Sequence, residues 1–384
     1  MSSRQSARVF LGVTLLLFTA GWAANHFSSV LVLIRDQEGV SSVMVNAAFG
    51  IYALGMLPCL LIGGMLADRW GPRFVVLTGG ILSALGNLML LFLHEGLLIL
   101  LGRFIVGTGV GLVVSAGTAW AGRLRGGSGV TLAGIILTLG FAIGPIVASA
   151  VGVMTHSEEL LFALSVSLSA LAVVVGLLLG DAPRVPISGG TETIKAQARS
   201  LRKALAVSLP MAIWVFSCIT TSIVILAARA ADNFNSPILL PAISSALAFS
   251  AGLIAQYSGR KFAWGRQTGT AGALFATVGY GLAAFGGETI SVPMFVITAV
   301  LLGTAYGLCL REGLLGVNTY TPVEKHGTGI GFYYVFTYFG FAFPVLFDVI
   351  TPRVGYAAPL IVIAVLAFAS AILRALQIKR GYLV

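Results

Sequence analysis

Charge is what this chain has least of. Asp, Glu, Lys and Arg make up 9% of its 384 residues, where roughly 25% is usual in a soluble domain. Hydrophobic residues make up 58% and the mean hydropathy is +0.99, so an ordinary soluble domain and a disordered chain are both excluded. Cysteine is scarce too. Cys59, Cys218 and Cys309 each sit inside an apolar run, which implies buried inert thiols and no disulfide framework. Missing as well are a Gly-x-x-x-x-Gly-Lys-Ser/Thr phosphate loop and any His/Cys metal spacing. No cofactor, no metal and no enzymatic activity are expected, and ATP-driven transport has no sequence support.

Long apolar runs are what the chain does have. A membrane pass needs about 20 apolar residues at 1.5 Å each to cover a core of roughly 30 Å. Twelve segments qualify, at about 9–33, 43–67, 74–93, 97–122, 131–154, 160–179, 204–228, 238–257, 268–285, 292–317, 328–350 and 356–373. Many of the 48 glycines lie within them, as small residues do where membrane helices pack closely. The first run follows Arg4 and Arg8 but is too long for a signal peptide and lacks a clean cleavage site. It is read as the first span.

The net charge of +10 raises the question of a nucleic-acid partner, and the location of the charge answers it. With a cytoplasmic N-terminus, 18 of the 23 Lys and Arg fall in inner segments, from Arg4 and Arg8 to Arg374 and Lys379. Only Arg35, Arg229 and Arg353 fall outside, while Arg103 and Arg311 lie within apolar runs. This is a positive-inside distribution. It places both termini in the cytoplasm, the protein in a cell (inner or plasma) membrane, and no nucleic acid among its partners.

The one long polar stretch between spans, with Pro183, Pro186, Ser188, Gly189 and Gly190, divides six spans from six. Its second part, 193–203, reads equally as a flexible basic linker or as a short amphipathic helix on the anionic inner leaflet, with Lys195, Arg199 and Arg202 at helical spacing. The expected domains are a bundle at 1–180, a linker at 181–203 and a second bundle at 204–384. The halves echo one another. Gly64-Met-Leu-Ala-Asp68 aligns without a gap on Gly252-Leu-Ile-Ala-Gln256 at an offset of 188, and Gly140-Phe-Ala-Ile-Gly-Pro145 pairs with Gly340-Phe-Ala-Phe-Pro344. Half-chain repetition of this kind belongs to transporters built from two related bundles around a central site.

The loop after the second span reads Gly64, Leu66, Asp68, Arg69, Gly71 and Arg73, with Pro72 between. On these residues the chain resembles the major facilitator superfamily, over its whole length. Arg103, Gly107 and Gly109 resemble that family's fourth-helix motif, with Val106 where Gln is frequent. Gly140, Gly144 and Pro145 resemble its antiporter motif in the fifth helix, closing on Ala148 and Ser149 instead of two glycines. The resemblance implies an all-α integral membrane protein of twelve helices, in two six-helix bundles related by a pseudo-twofold axis. It also implies a latch formed by Gly64, Asp68, Arg69, Gly71 and Arg73 with Arg123 as ion partner, a helix-bending role for Gly140, Gly144 and Pro145, and proton coupling at Arg103.

The residues themselves point the same way at several places. The Asp68 carboxylate, at the inner end of the second span, can accept from the exposed N–H groups near 327–331 that start the eleventh. An ordinary charged turn is the plainer reading. Arg103 lies about 9 Å inside its helix and either faces the bundle or snorkels outward. Asn25 and His26 interrupt the first span close to Trp22, Ser28 and Ser29, and His26 is either a proton carrier or a packing histidine. Arg311 and Glu312, as neighbours, do not share a helix face, so each needs a partner elsewhere, at an interface or inside. Asp348 is equally open. The rings from Phe332 to Phe343, with Trp22 and Trp214, suggest an aromatic-walled site, although ordinary packing accounts for many of them.

Substrate-binding candidates are therefore Trp22, Asn25, His26, Trp214, Tyr334 and Tyr338. Proton-coupling candidates are His26, Arg103 and Glu312. The expected function is alternating-access, proton-coupled export of a small amphipathic organic compound by a monomer in the bilayer. Uptake or facilitated diffusion of a sugar, organic acid or other nutrient is the alternative, and a non-transporting membrane sensor a third reading.

Overall fold

A computed structural model describes residues 3–27, 42–92, 96–155, 157–179, 199–233 and 240–383. Ser28, Ser29 and Arg35 lie outside the described residues, as does the expected linker up to residue 198. Every regular element among the described residues is a helix. The fold class is the expected one: an all-α membrane protein of twelve helices, six in each half.

In the first half, α1 is Ser3–Asn25, α2 Ser42–Trp70 and α3 Pro72–Phe92. A single helical run Gly96–Thr155 carries α4 (96–124) and α5 (127–155), and α6 is Glu158–Leu178. Two loops expected from the sequence are much shorter than the apolar runs suggested. Between α2 and α3 only Gly71 is non-helical, at φ +94, a left-handed conformation that glycine reaches without steric cost. Between α4 and α5 the helix breaks only at Arg125 and Gly126, the latter at φ 58, ψ −144. The expected polar gap at 123–130 is helical elsewhere because its residues continue the backbone ladder right up to that one corner.

In the second half, α7 runs as Leu201–Thr220, passes through a π-helical segment Thr221–Leu226 and ends with Ala227–Ala230. α8 is Leu240–Lys261, α9 Thr268–Phe285 and α10 Val292–Tyr320. α11 is His326–Tyr338, interrupted by a 3-10 turn Phe339–Ala342 and resumed as Phe343–Val354. α12 is Ala357–Lys379. Of the proposed amphipathic helix at 193–203, residues 201–203 form the start of α7. Among the described residues, eight helical stretches are long and apolar enough to cross a membrane, one of them the stretch Gly96–Gly152 that contains both α4 and α5.

The chain divides into two compact units. One holds Met1–Leu201 together with Asn318–Phe332, the other Arg202–Val317 together with Tyr333–Val384. The end of α10 and the first turns of α11 thus belong with the first unit, for reasons given below.

The second sequence echo has a common packing meaning. A Cβ on Gly140 of α5 would run into the Phe18 carbonyl of α1, and a Cβ on Gly340 of α11 would run into the Ser217 amide of α7. In each unit, then, the fifth helix of a half touches the first helix of that half backbone to backbone at the repeated glycine. Gly144 continues the α5 contact, facing the Trp22 carbonyl and the His26 amide. At Gly340 the contact carries a hydrogen bond as well, Thr220 Oγ1 donating to the Gly340 carbonyl at 2.9 Å.

Two arginines counted from the sequence as loop or tail charges are buried, and one adjacent pair finds an unexpected partner. Arg229, assigned to an outer loop, is 3% exposed and donates to the carbonyls of Ala283 and Gly287. Arg374, assigned to the inner tail, is 2% exposed within α12. Arg311 and Glu312, expected to need separate partners, pair with each other at 2.5 Å. Their backbone directions do differ by about 100°, but an extended guanidinium reaches round the helix to close the gap.

Candidate functional site

The C-terminal end of α2 is built around one carboxylate. Asp68 Oδ1 accepts from the Gly327 amide at 2.8 Å and from Arg123 at 2.6 Å. Its Oδ2 accepts from both the amide and the hydroxyl of Thr328, each at 2.8 Å. Four donors thus converge on one side chain that is 9% exposed. Two of them are first-turn amides of α11, which lack acceptors within their own helix and carry its positive end. This is why residues 318–332 pack with the first unit.

Backbone proximity makes that geometry possible. A Cβ on Gly64 would collide with the Gly327 carbonyl, and one on Gly327 with the Gly64 carbonyl. Only a glycine at both positions lets the helix ends come close enough for Asp68 to reach the amides. Beside them, His326 Nε2 meets Asn318 Oδ1 at 3.0 Å. The rest of the motif does other work. Arg73 donates to the Leu177 carbonyl at the end of α6, Gly71 makes the α2–α3 turn, and Arg69 is exposed.

A second cluster lies among α1, α2, α4 and α6. Trp22 Nε1 donates to Ser165 Oγ at 2.8 Å. His26 Nδ1 donates to the Trp22 carbonyl at 3.0 Å, so in neutral His26 the other nitrogen, Nε2, is an acceptor. His26 is fully buried, and its ring stacks 6.2 Å from Trp22 and edge-on to Phe162 at 6.1 Å. Asn25 donates to the Phe141 carbonyl at 3.2 Å. Arg103 faces inward with no exposure; its guanidinium sits 4.2 Å from the Phe27 ring centre and 4.3 Å from that of Tyr52. Gly107, one turn further along α4, lets α2 approach this closely, since a Cβ there would strike the Tyr52 carbonyl.

The second unit holds the remaining candidates. Trp214 packs edge-on to Tyr280 at 6.3 Å. Tyr338 is 4.4 Å from Phe216 and 5.4 Å from Phe341, which is itself 4.9 Å from Phe216. Tyr334 is fully buried and meets Tyr333 at 6.0 Å, while Tyr333 donates to the Cys309 carbonyl. The aromatic run thus sorts by residue type: Tyr333, Tyr334 and Tyr338 are buried, whereas Phe336, Phe339 and Phe341 are exposed.

Glu312 is held by two arginines. Its Oε1 accepts from Arg311, and its Oε2 from Arg374 at 3.3 Å. Arg311 also donates to the Gly259 carbonyl, and Arg374 to that of Val207. The triad therefore ties α10, α12, α7 and the end of α8 together. Sequence reasoning missed Arg374, whereas the offset of 188 carries Arg123 onto Arg311 and Gly71 onto Gly259. Arg311 has kept its place in the second half, but with Gln256 in the Asp68 position it draws its carboxylate from the next residue.

The family model described as the Major Facilitator Superfamily matches residues 13–343. The multidrug resistance protein MdtL of Klebsiella pneumoniae is 33% identical over 78 residues, and that match covers only 20% of each chain. The multidrug resistance protein MdtH of Aeromonas hydrophila is 26% identical over 328 residues, 82% of this chain and 80% of that one. Among solved structures, the human organic anion transporter MFSD10 superimposes with a TM-score of 0.77 at 16% identity, covering 97% of this chain and 100% of that one. The fucose:proton symporter FucP of E. coli does so with 0.69 at 16%, covering 96% and 98%. Matched along most of its length by the family model and alike in fold to these transporters, the chain belongs to the Major Facilitator Superfamily.

Proposed function

We propose that this protein exports a small amphipathic organic compound across a cell membrane by alternating access, driven by protons. The observation that carries the reading is the four-donor Asp68 site. It binds the inner end of α2 to the start of α11, two elements from opposite halves of the sequence, through contacts that a rigid translation of a few ångströms would break together. In this reading the site holds the inner mouth shut, and its release opens it. Gly64, Gly71 and Arg123 support the latch, while Arg69 serves only inner charge and Arg73 anchors α6.

Export is favoured by two relatives named as multidrug resistance proteins and by the Gly140, Gly144 and Pro145 motif packed against Trp22 and His26. His26 is the proposed proton carrier: it is buried, near the centre of the second cluster, and has a ring nitrogen without a partner among the described residues. Glu312 is proposed instead as part of a structural clamp, because both its oxygens are occupied by arginines. Trp22, Asn25, Trp214, Tyr334 and Tyr338 are the proposed substrate-facing residues, with both termini cytoplasmic and a monomer as the working unit. Flux of a dye panel in proteoliposomes under an imposed pH gradient tests the reading. Gradient-dependent accumulation of dyes supports it, and transport of sugars in their place, which the likeness to a fucose:proton symporter allows, replaces it with the uptake alternative.

A further inference from the structure

We infer that the transported compound carries a carboxylate or an equivalent single negative charge, and that Arg103 with the Tyr52 hydroxyl receives it. The inference rests on the proposed reading of the chain as a transporter of an organic solute, and it narrows the chemistry of that solute.

Arg103 is the unusual group. It is fully buried, and none of Nε, Nη1 and Nη2 has a hydrogen-bond acceptor among the described residues. A guanidinium has five N–H donors and remains charged, so burying it without an acceptor is expensive. The two rings that sandwich it, Phe27 and Tyr52, offset some of that cost through their π faces, but they leave the donors in the guanidinium plane unused. The hydroxyl of Tyr52 is likewise buried without a partner. Two unsatisfied donor groups from neighbouring helices therefore share one site.

The protein offers no described anion to satisfy them. In the first unit the Asp68 carboxylate is saturated by four donors at the inner end of α2. Glu159 is engaged by Ser157 at the start of α6, and Glu324 lies in the 3-10 turn before α11. Besides Tyr52, His26 interacts electrostatically with Arg103, and it brings an acceptor nitrogen when neutral and a repelling charge when protonated. What completes the site is an external acceptor with two oxygens, which a guanidinium binds in a forked arrangement and a tyrosine hydroxyl can support. The surrounding rings of Trp22, Phe27 and Phe162 suit an aromatic or apolar body attached to that acceptor. The same cation disfavours a positively charged compound.

In this conformation the site is sealed, so the ligand enters in another state of the cycle. That requirement weakens the apparent affinity of every ligand by the same fraction. It does not change the ratio between two ligands of equal shape, so the ratio is the quantity to measure.

The test uses the purified full chain in lipid nanodiscs with three probes of one shape: 1-naphthoate, 1-naphthamide and 1-naphthylmethylammonium. Binding is followed by equilibrium dialysis at fixed pH and salt. The expected result is naphthoate preferred over naphthamide by about tenfold or more, a difference of about 1.4 kcal/mol or more, with the ammonium weakest. Arg103→Gln brings the carboxylate-to-amide ratio to about one, Arg103→Lys retains part of it, and Tyr52→Phe lowers it by roughly threefold. If Arg103→Gln does not fold, the wild-type ratio and Tyr52→Phe decide. A wild-type ratio near one, or a ratio that survives Arg103→Gln or is untouched by Tyr52→Phe, overturns the inference. Proton-driven flux of dyes with no carboxylate preference removes the anion site and leaves the export reading. A clear preference with no flux of any probe does the reverse.

Discussion

Replacing Asp68 by Asn changes one oxygen into an NH2 group at a place where every partner is a donor. In the better of the two amide orientations, the remaining oxygen keeps Gly327 and Arg123, and the new NH2 faces Thr328. The Thr328 hydroxyl can turn to accept, but the Thr328 amide is left opposite another donor. Orphaning a buried amide costs about 1–3 kcal/mol, and losing the negative charge at a helix N-terminus and beside an arginine costs about 1 kcal/mol more. The total of about 2–4 kcal/mol corresponds to a roughly 30- to 1,000-fold change in the closed-to-open ratio. An inner mouth shut 99 times in 100 would then stand open somewhere between about a quarter and nine-tenths of the time. Amide hydrogen exchange read by mass spectrometry on a peptide spanning residues 322–335 measures this directly, because first-turn amides depend on their cap for protection. The Thr328 amide is expected to lose its protection and the Gly327 amide to keep part of it, while proton-driven flux falls to background in protein that remains monodisperse. Wild-type exchange at both amides, or wild-type flux, would refute the reasoning.

Gly64→Ala leaves every charge in place but pushes its methyl group against the Gly327 carbonyl; it is expected to reproduce the exchange and flux defects of Asp68→Asn, and normal flux would count against the close-approach argument. Glu312→Gln leaves Arg311 and Arg374 without a counter-charge, a loss of about 3–5 kcal/mol, seen as a fall of roughly 5 °C or more in thermal unfolding; an unchanged melting temperature would remove the clamp. Trp22→Phe and Ser165→Ala each delete the same hydrogen bond and are expected to cost about 1 kcal/mol apiece. In a double-mutant cycle the pair should cost little more than either alone, and full additivity would show that the bond contributes nothing.

How much of this could be read beforehand depended on whether a residue's role was local. The Asp68 site was legible because its parts lie at the ends of apolar runs, where a carboxylate and a helix start have to meet in the same layer. The length of the spans was legible for a similar reason, as hydropathy sums over neighbours in sequence. Arg374 and Arg229 were misplaced because cutting the chain at its charges assumes that each arginine marks a boundary. A guanidinium supplied with carbonyl oxygens from adjoining helices can sit inside instead. The Arg311–Glu312 pair depended on side-chain reach, which backbone spacing does not report. The π segment of α7 and the interrupted α11 were invisible to hydropathy, because neither the added residue in a π turn nor the tightening of a 3-10 turn alters composition. That Arg103 has no hydrogen-bond acceptor among the described residues could not be inferred from sequence at all, since it required knowing how the described helices pack around it.

The corner between α4 and α5 has one more consequence. With nothing but Arg125 and Gly126 to bend, it works as an elbow without slack: a swing of one arm obliges the other to follow. One arm carries Arg103 near its start and Arg123 near the elbow; the other packs through Gly140 and Gly144 against the backbone of Phe18, Trp22 and His26. If a solute sits in the second cluster as proposed, this elbow would couple it to the Asp68 site at the other end of α4, and lengthening the elbow by a few flexible residues should break that coupling while leaving both ends intact.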